Sequence, residues 1–258
     1  MDTGYRYTRS VPGIEWAIDE QWETIADFHW QDELLQLPLE RSAEDKEQFY
    51  LLNGYFGPGD ADLYYSLIRQ LKPNTIIEIG SGHSTRLAAI ALNQNATESS
   101  DSKGRITCVE PYRHADWFPL MGVHHISERI ESLNRVLFES LKADDILFID
   151  SSHVIRPQGD VLYLIQEILP TIPAGVYVHI HDIFSPLDYP NEWLVDRMHF
   201  WNEQYLLEAF LAFNSGFKVI ASMQLLLATD AQRAERLLPT LHHRTSDIAA
   251  TSLWLKRT

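Results

Sequence analysis

Seven short apolar stretches are spaced along this chain, and between them apolar positions recur every three or four residues. The short stretches are TIIEIG at 75–80, RITCVE at 105–110, VHHI at 123–126, DDILFID at 144–150, GVYVHIHD at 175–182, FKVIASM at 217–223 and SLWLKR at 252–257. Runs of this length, rich in β-branched residues and bounded by turn formers, predict buried strands. The intervening periodicity predicts helices. One begins near Asp60, which reads as an N-cap, and stops before Pro73; one covers about 84–92; one runs over 160–169 until Pro170 and Pro173 end it; one lies in WNEQYLLEAFLAF at 201–213. The stretch 127–141 reads mostly helical, 226–243 helical or turn-like, and the polar segment NQNATESSDSKG at 93–104 reads as a surface loop.

Upstream, Ile18, Trp22, Ile25 and Ala26 recur at helical spacing within 14–37, predicting one or two amphipathic helices. Residues 1–13 read as loosely attached. Strand and helix alternate over most of the length, which requires right-handed crossovers and a parallel sheet covered on both faces. The expected fold class is therefore α/β, a doubly wound, mostly parallel sheet. A helical extension at 1–56 precedes a ligand-binding domain at 57–258, and the two late strands suggest a closing hairpin at one sheet edge.

Charge narrows the partners. The 258 residues include 21 Lys and Arg against 36 Asp and Glu, a formal net charge of −15, with no basic run to interrupt the acidity. A field of that sign repels nucleic acid and anionic membrane surfaces, so a small-molecule partner is expected. The lone cysteine, Cys108, sits in an apolar run and reads as a buried small hydrophobe. With one cysteine no intrachain disulfide forms, and neither a signal peptide nor a long apolar span is evident, so a soluble, cytoplasmic protein is expected. Homodimerisation is left open.

The densest chemistry lies in TIIEIGSGHSTRL at 75–87. A strand ends in a turn with glycines at 80 and 82, and a helix follows whose first N–H groups favour acceptors. A dinucleotide fingerprint needs a third glycine, where this chain has Thr85, and Glu78 beside a pyrophosphate is electrostatically awkward. Beside an ammonium and a sulfonium the same carboxylate is favourable, which points to S-adenosylmethionine. Glu110 closes the second strand, where a carboxylate commonly holds a ribose diol. Its distance from Gly82 is 110 − 82 = 28 residues, longer than the simple unit's ~20, and the polar stretch 93–104 accounts for the excess. Asp150 closes the fourth strand.

Taken together, IIEIGSGHST, CVEP, ILFIDSSHV, GVYVHIHDIFSP and WNEQYLL resemble the class I S-adenosylmethionine-dependent methyltransferases, and in particular a bacterial subgroup with FIDSSH and HDIF signatures. The resemblance covers about residues 50–222. It implies a seven-stranded sheet with an antiparallel last strand. It also implies Glu78, Gly80, Ser81, Gly82 and Ser84 around the cofactor's methionine portion and Glu110 on the ribose; Asp150 at the tip of the fourth strand is read as a further cofactor-binding residue, and the stretch 127–134 as the place of the adenine.

Methyl transfer is an in-line displacement, so the protein must align an acceptor and take its proton. Asp150, His153, His181 and Asp182 are the candidates. Related catechol-type and sugar O-methyltransferases hold Mg²⁺ through carboxylates at these strand ends, which carries over to Asp150 and Asp182, with His181 standing where an acid or amide is usual. The other options are metal-free base catalysis by His153 or His181, or a purely structural role for His181 and Asp182. His83 reads as positioning the glycine loop, and His242 and His243 as solvent-exposed. The stretch 183–194, with Tyr189, Trp193 and the later Trp201, reads as a lid or acceptor wall. The expected activity is methylation of a hydroxyl on a small organic acceptor; the alternatives are a nicotinamide-dependent oxidoreductase and a non-catalytic cofactor-binding protein.

Overall fold

The computed structural model describes residues 9–45, 47–99, 102–112, 122–245 and 250–258. Seven strands form one sheet: β1 (Thr75–Ile79), β2 (Arg105–Val109), β3 (Val123–Ile126), β4 (Ile146–Ile149), β5 (Tyr177–Ile180), β6 (Phe217–Ser222) and β7 (Leu253–Arg257), in the order β3-β2-β1-β4-β5-β7-β6. β1 to β5 pair in parallel, and β7 runs antiparallel between β5 and β6. This is the doubly wound, mostly parallel arrangement expected. The two late strands do pair at one edge, but β7 is wedged inside rather than added outside.

Among the described residues, eight α-helices flank the sheet: α1 (Ile18–Ala26), α2 (Gln31–Leu34), α3 (Asp60–Leu71), α4 (His83–Glu98), α5 (Val136–Glu139), α6 (Asp160–Tyr163), α7 (Glu203–Leu211) and α8 (Met223–Leu237). Strand periodicity divides the core between them. Ile76, Cys108, Ile146 and Phe148 face one layer, with Trp22 and Ile25 of α1, residues of α3 and α4, and Met223 and Leu226 of α8. Ile77, Ile79, Val109, Leu147, Ile149 and Val178 face the other, with Val161 of α6 and Leu207 of α7. Each such aliphatic or aromatic side chain contributes roughly 1.5–3 kcal/mol by leaving water, so alternation along five parallel strands fixes their register. Cys108 is fully buried, as expected. Among the described residues, no helix is long and apolar enough to cross a membrane.

Four local expectations change. The helix after the glycine loop runs on to Glu98, because polar Asn95 is buried: its Nδ2 donates to the Ile68 carbonyl, and its Oδ1 accepts from Arg69. The stretch 127–141 is broken into a 3₁₀ turn at Ile130–Ser132 and the short α5, which restarts where the Asn134 side chain accepts the Val136 N–H. Gly59, not Asp60, caps α3, and its N–H is held by Asp62 at 2.8 Å. Asp60 turns inward to accept the Thr251 and Ser252 N–H groups.

The fourth change matters most for function. β1, β2, β4 and β5 each stop short of their apolar runs, so Gly80, Glu110, Asp150 and His181 are the first residues beyond the strands, while Glu78 lies inside β1.

Candidate functional site

The sheet changes direction between β1 and β4, the place where doubly wound folds bind ligands. A cleft of about 220 Å³ opens there over the tips of β1, β2 and β4. Gly80, Glu110 and Asp150 line it, with Tyr112 and Arg129 on the β2 side and Ser151, Ser152 and Arg156 beyond β4. From the stretch expected to face an adenine, Arg129, Ile130 and Glu131 reach the cleft.

Gly80 has φ +89°, and a Cβ there would stand 2.7 Å from the Asp150 carbonyl oxygen. The glycine is thus needed first for the close pass between the β1 and β4 tips. Gly82 precedes α4, and its N–H donates to Thr85 Oγ1 at 3.0 Å, tying the loop to the first helical turn. Ser81 and Gly82 are half-buried, and Ser84 is buried beneath the loop.

Glu78 does not line the cleft. It is fully buried in β1 beside Cys108, whose thiol lies 3.4 Å from its Oε2, with the Thr85 and Ser84 hydroxyls favouring its charged form. Burial pushes its carboxyl up to about 7 despite those hydrogen bonds. Its contact with the glycine loop runs through Thr85, so it shapes the loop from below.

Glu110 accepts the Tyr112 N–H at 2.7 Å at the tip of β2. Asp150, 45% exposed, is where the cleft meets a second group of side chains. His153 Nε2 lies 3.2 Å from Asp150 Oδ1 and 3.7 Å from Asp182 Oδ2, and His153 Nδ1 lies 2.9 Å from Glu203 Oε2. Burial would lower the His153 pKa, but hydrogen bonds to Asp150 and Glu203 and the charges of Glu203 and Asp182 hold it well above the ordinary imidazole value.

The elements behind these groups explain their placement. Glu203 opens α7, is nearly inaccessible at 1%, and also accepts the Ser151 hydroxyl; the neighbouring Asn202 and Glu203 N–H groups both donate to the His153 carbonyl. Asp182 accepts the Thr251 hydroxyl at 3.0 Å, on the residue whose N–H is fixed by buried Asp60. Glu203 and Thr251 escaped the sequence reading, and Asp60 was read only as a cap, because their partners lie 50, 69 and 191 residues away along the chain. Only the topology brings them back.

His181 is oriented differently. Its Nε2–H donates to the Tyr55 carbonyl at 3.2 Å, and it lies 3.8 Å from Asp182 Oδ1. Burial lowers its pKa, yet Asp182, Asp150 and Asp60 together raise it above the ordinary value. Tyr55 is delivered by a turn that Asn53 organises, its Oδ1 accepting the Tyr55 and Phe56 N–H groups. The same segment places Phe49, Tyr50 and Tyr55 around His83, the first residue of α4. Burial and nearby Arg86 and Arg41 push His83 down to about 4, so it is neutral at pH 7. His242 is exposed and His243 half-buried, both in a 3₁₀ turn.

The stretch after β5 forms an aromatic wall: Phe184, Tyr189, Trp193, His199 and Trp201 pack edge to face or stacked, and Trp201 covers His153 at 4.3 Å between ring centroids. Gln204 ties this wall to α7, accepting the Phe184 N–H and donating to the Leu187 carbonyl.

Asp150, His153 and Asp182 bring ligand atoms within 4.8 Å of one another. Their carboxylate and imidazole donors fit a divalent cation, and the open cleft beside them, with Glu110 and the glycine turn, fits an adenosyl ligand.

An uncharacterized protein from Archaeoglobus fulgidus is 33% identical over 107 residues, which is 42% of this chain and 47% of that one; the chain thus spans about half the length of the curated relative it matches. Among solved structures, the O-methyltransferase TomG from Streptomyces achromogenes, involved in tomaymycin synthesis and in complex with SAM, gives a TM-score of 0.44 at 15% identity over 93% of this chain and 90% of that one. An O-methyltransferase from Bacillus cereus in complex with SAH gives 0.41 at 14% identity over 78% and 82%. From β1 to the residues just after β5, residues 77–183, the chain matches the family described as a methyltransferase domain.

Proposed function

We propose that the protein is an S-adenosylmethionine-dependent methyltransferase that methylates a hydroxyl group on a small organic acceptor. The observation that carries this reading is Asp150, which lines the open cleft on one side and belongs to the buried imidazole–carboxylate group on the other. A methyl donor and a proton acceptor must meet at one place, and this residue stands at that meeting point.

In this reading Gly80, Ser81 and Gly82 present backbone to the methionine portion, Glu110 takes the ribose diol, and 127–134 flanks the adenine through Arg129 and Ile130. When bound, the cofactor supplies an electrophilic methyl group on a sulfonium. Asp150 faces that positive charge. On the far side, Asp182 takes the proton of the acceptor oxygen, the charged His153 imidazole, held by Glu203, orients that carboxylate, and His181, fixed by Tyr55, keeps Asp182 in register. The aromatic wall from Phe184 to Trp201 excludes water and gives the acceptor a flat apolar surface. A divalent cation between Asp150 and Asp182 would bring the acceptor oxygen close and favour its deprotonated form; two carboxylates alone suit Mg²⁺.

Calorimetric titration with S-adenosylhomocysteine and with NAD tests the cofactor. Saturable binding of the former and none of the latter is expected, whereas the reverse would identify a nicotinamide-dependent enzyme. Transfer of labelled methyl from S-adenosylmethionine to a panel of catechols, sugars and phenols then tests the reaction. Binding without transfer to any of them would leave a non-catalytic cofactor-binding protein.

A further inference from the structure

We infer that Arg9 is a positioning residue of the acceptor side: it locks the loop that carries the aromatic wall onto α7, and so holds in place the surface that receives the acceptor. The inference rests on the proposed function for what the wall receives. How the wall is held is read from contacts of its own.

The stretch 1–13 reads as loosely attached in the sequence, yet its described end is anchored. The Phe213 N–H donates to the Gly13 carbonyl at 2.7 Å, Ile14 is buried in the layer that holds α6 and α7, and the Arg9 side chain is 17% exposed. Arg9 reaches across 199 positions of sequence to Glu208, whose carboxylate accepts from its two terminal nitrogens at 2.5 and 2.8 Å. One of those nitrogens also donates to the Leu187 carbonyl at 3.1 Å, Nε stands 3.1 Å from Asp188 Oδ1, and the guanidinium lies 5.1 Å from the centre of the Tyr205 ring. Glu208 and Tyr205 belong to α7, whereas Leu187 and Asp188 belong to the loop after β5. A planar fork with several donors can bridge helix and loop at once; a point charge cannot.

What is bridged bears on the reaction. The loop carries Tyr189, whose ring meets Phe184 at 5.6 Å and Trp201 at 6.3 Å, and α7 opens with Glu203, which holds His153. Without Arg9, Glu208 would keep the Ser185 hydroxyl at 2.6 Å and Asp188 the Tyr205 hydroxyl at 3.1 Å, but both would lose their cation. The Glu208 side chain is 9% exposed, and a carboxylate so removed from water is costly to leave without its partner. The loop should therefore swing away from α7 to hydrate these carboxylates. None of the residues that Arg9 touches lines the cofactor cleft, so the damage should stay on the acceptor side.

The first test is hydrogen exchange on full-length Arg9→Gln, read by mass spectrometry. Amides in 184–201 should exchange at least about 10-fold faster than in the wild type, while those of β1 and α4 keep their rate. Arg9→Lys, which keeps the charge without the fork, should fall between the two, and it carries the test should Arg9→Gln fail to fold. Exchange that quickens equally throughout the chain, or nowhere, would overturn the inference. The second test is kinetic. With whichever catechol, sugar or phenol the wild type methylates, Arg9→Gln should raise KM for that acceptor by at least about 10-fold, with kcat and KM for S-adenosylmethionine moving less than about 3-fold. A fall in kcat at unchanged acceptor KM would equally overturn it. Titration with S-adenosylhomocysteine separates the two claims. Wild-type affinity with no local loosening sinks this inference alone, whereas local loosening in a protein that binds no S-adenosylhomocysteine sinks the methyltransferase reading and leaves Arg9 as the lock of the wall.

Discussion

Glu78 and Asp150 are both acidic residues at the end of apolar runs in neighbouring strands, and they lead opposite lives. Glu78 is paired with Phe148 across the β1–β4 register, inside the strand, where its side chain enters the layer between sheet and helices. Asp150 is one residue beyond β4 and opens into the cleft. Glu78, stripped of water, has its carboxyl raised to about 7, whereas Asp150 has an imidazole at 3.2 Å and solvent beside it. A shift of two positions along a strand takes a carboxylate from the cleft into the core. The chemistry of the residue says little; its place relative to the last backbone hydrogen bond says most.

The largest expected effect falls on the exposed member. Asp150→Asn should reduce methyl transfer by about 100- to 10,000-fold, or ~3–5 kcal/mol of barrier, while S-adenosylhomocysteine affinity moves by less than about 10-fold. Equal losses in turnover and cofactor affinity would mean that Asp150 serves only to bind.

The buried member should announce itself in stability. Because the folded-state pKa of Glu78 is raised from 4.5 to about 7, the folded protein keeps a proton that the unfolded chain sheds in that window. Stability on this account is full below pH 4.5, falls as pH rises toward 7, and flattens above, a span of about 3 kcal/mol. Glu78→Gln, which keeps an acceptor for Thr85 and Ser84, should remove that slope in chemical denaturation measured across the window. An unchanged slope would return Glu78 to the class of solvated carboxylates.

Between these extremes lies Glu110. Its replacement by Ala should weaken S-adenosylhomocysteine by roughly 1.5–3 kcal/mol, the range for a hydrogen bond to a charged group, without altering the melting temperature. Smallest is the link from Glu78 to the loop. Thr85→Ala removes the acceptor of the Gly82 N–H and should cost about 1 kcal/mol of stability with a few-fold loss of cofactor affinity. Loss of stability alone would show that the brace does not reach the ligand.

The fold was legible because its signals are local. Apolar runs marked the seven strands, and Gly80, Glu110 and Asp150 fell on the cleft because doubly wound sheets put their ligands at strand tips. What stayed hidden was orientation and partnership. Nothing within β1 indicates that Glu78 faces a helix layer instead of the cleft, since that depends on where the ladder ends. Asn95 looked like loop because its polarity is satisfied by Ile68 and Arg69 across an interhelical contact. Glu203 carries no local sign of its role within an aromatic-rich helix, and only the return of α7 to the β4 tip makes it the partner of His153. Asp60 was read as a cap, a local role, when its carboxylate reaches residues 251 and 252.

The position of β7 carries a consequence for how the molecule is made. β6 pairs only with β7, and β7 follows it by some thirty residues while filling the gap beside β5. On the ribosome, the first five strands can assemble in order of synthesis, but β6 must wait unpaired until Leu253–Arg257 clears the exit tunnel. The same late segment fixes Thr251 against Asp182. Completion of the sheet and bracing of Asp182 both wait for the same segment, so a nascent chain stalled before residue 251 should lack an organised cluster at the tip of β5.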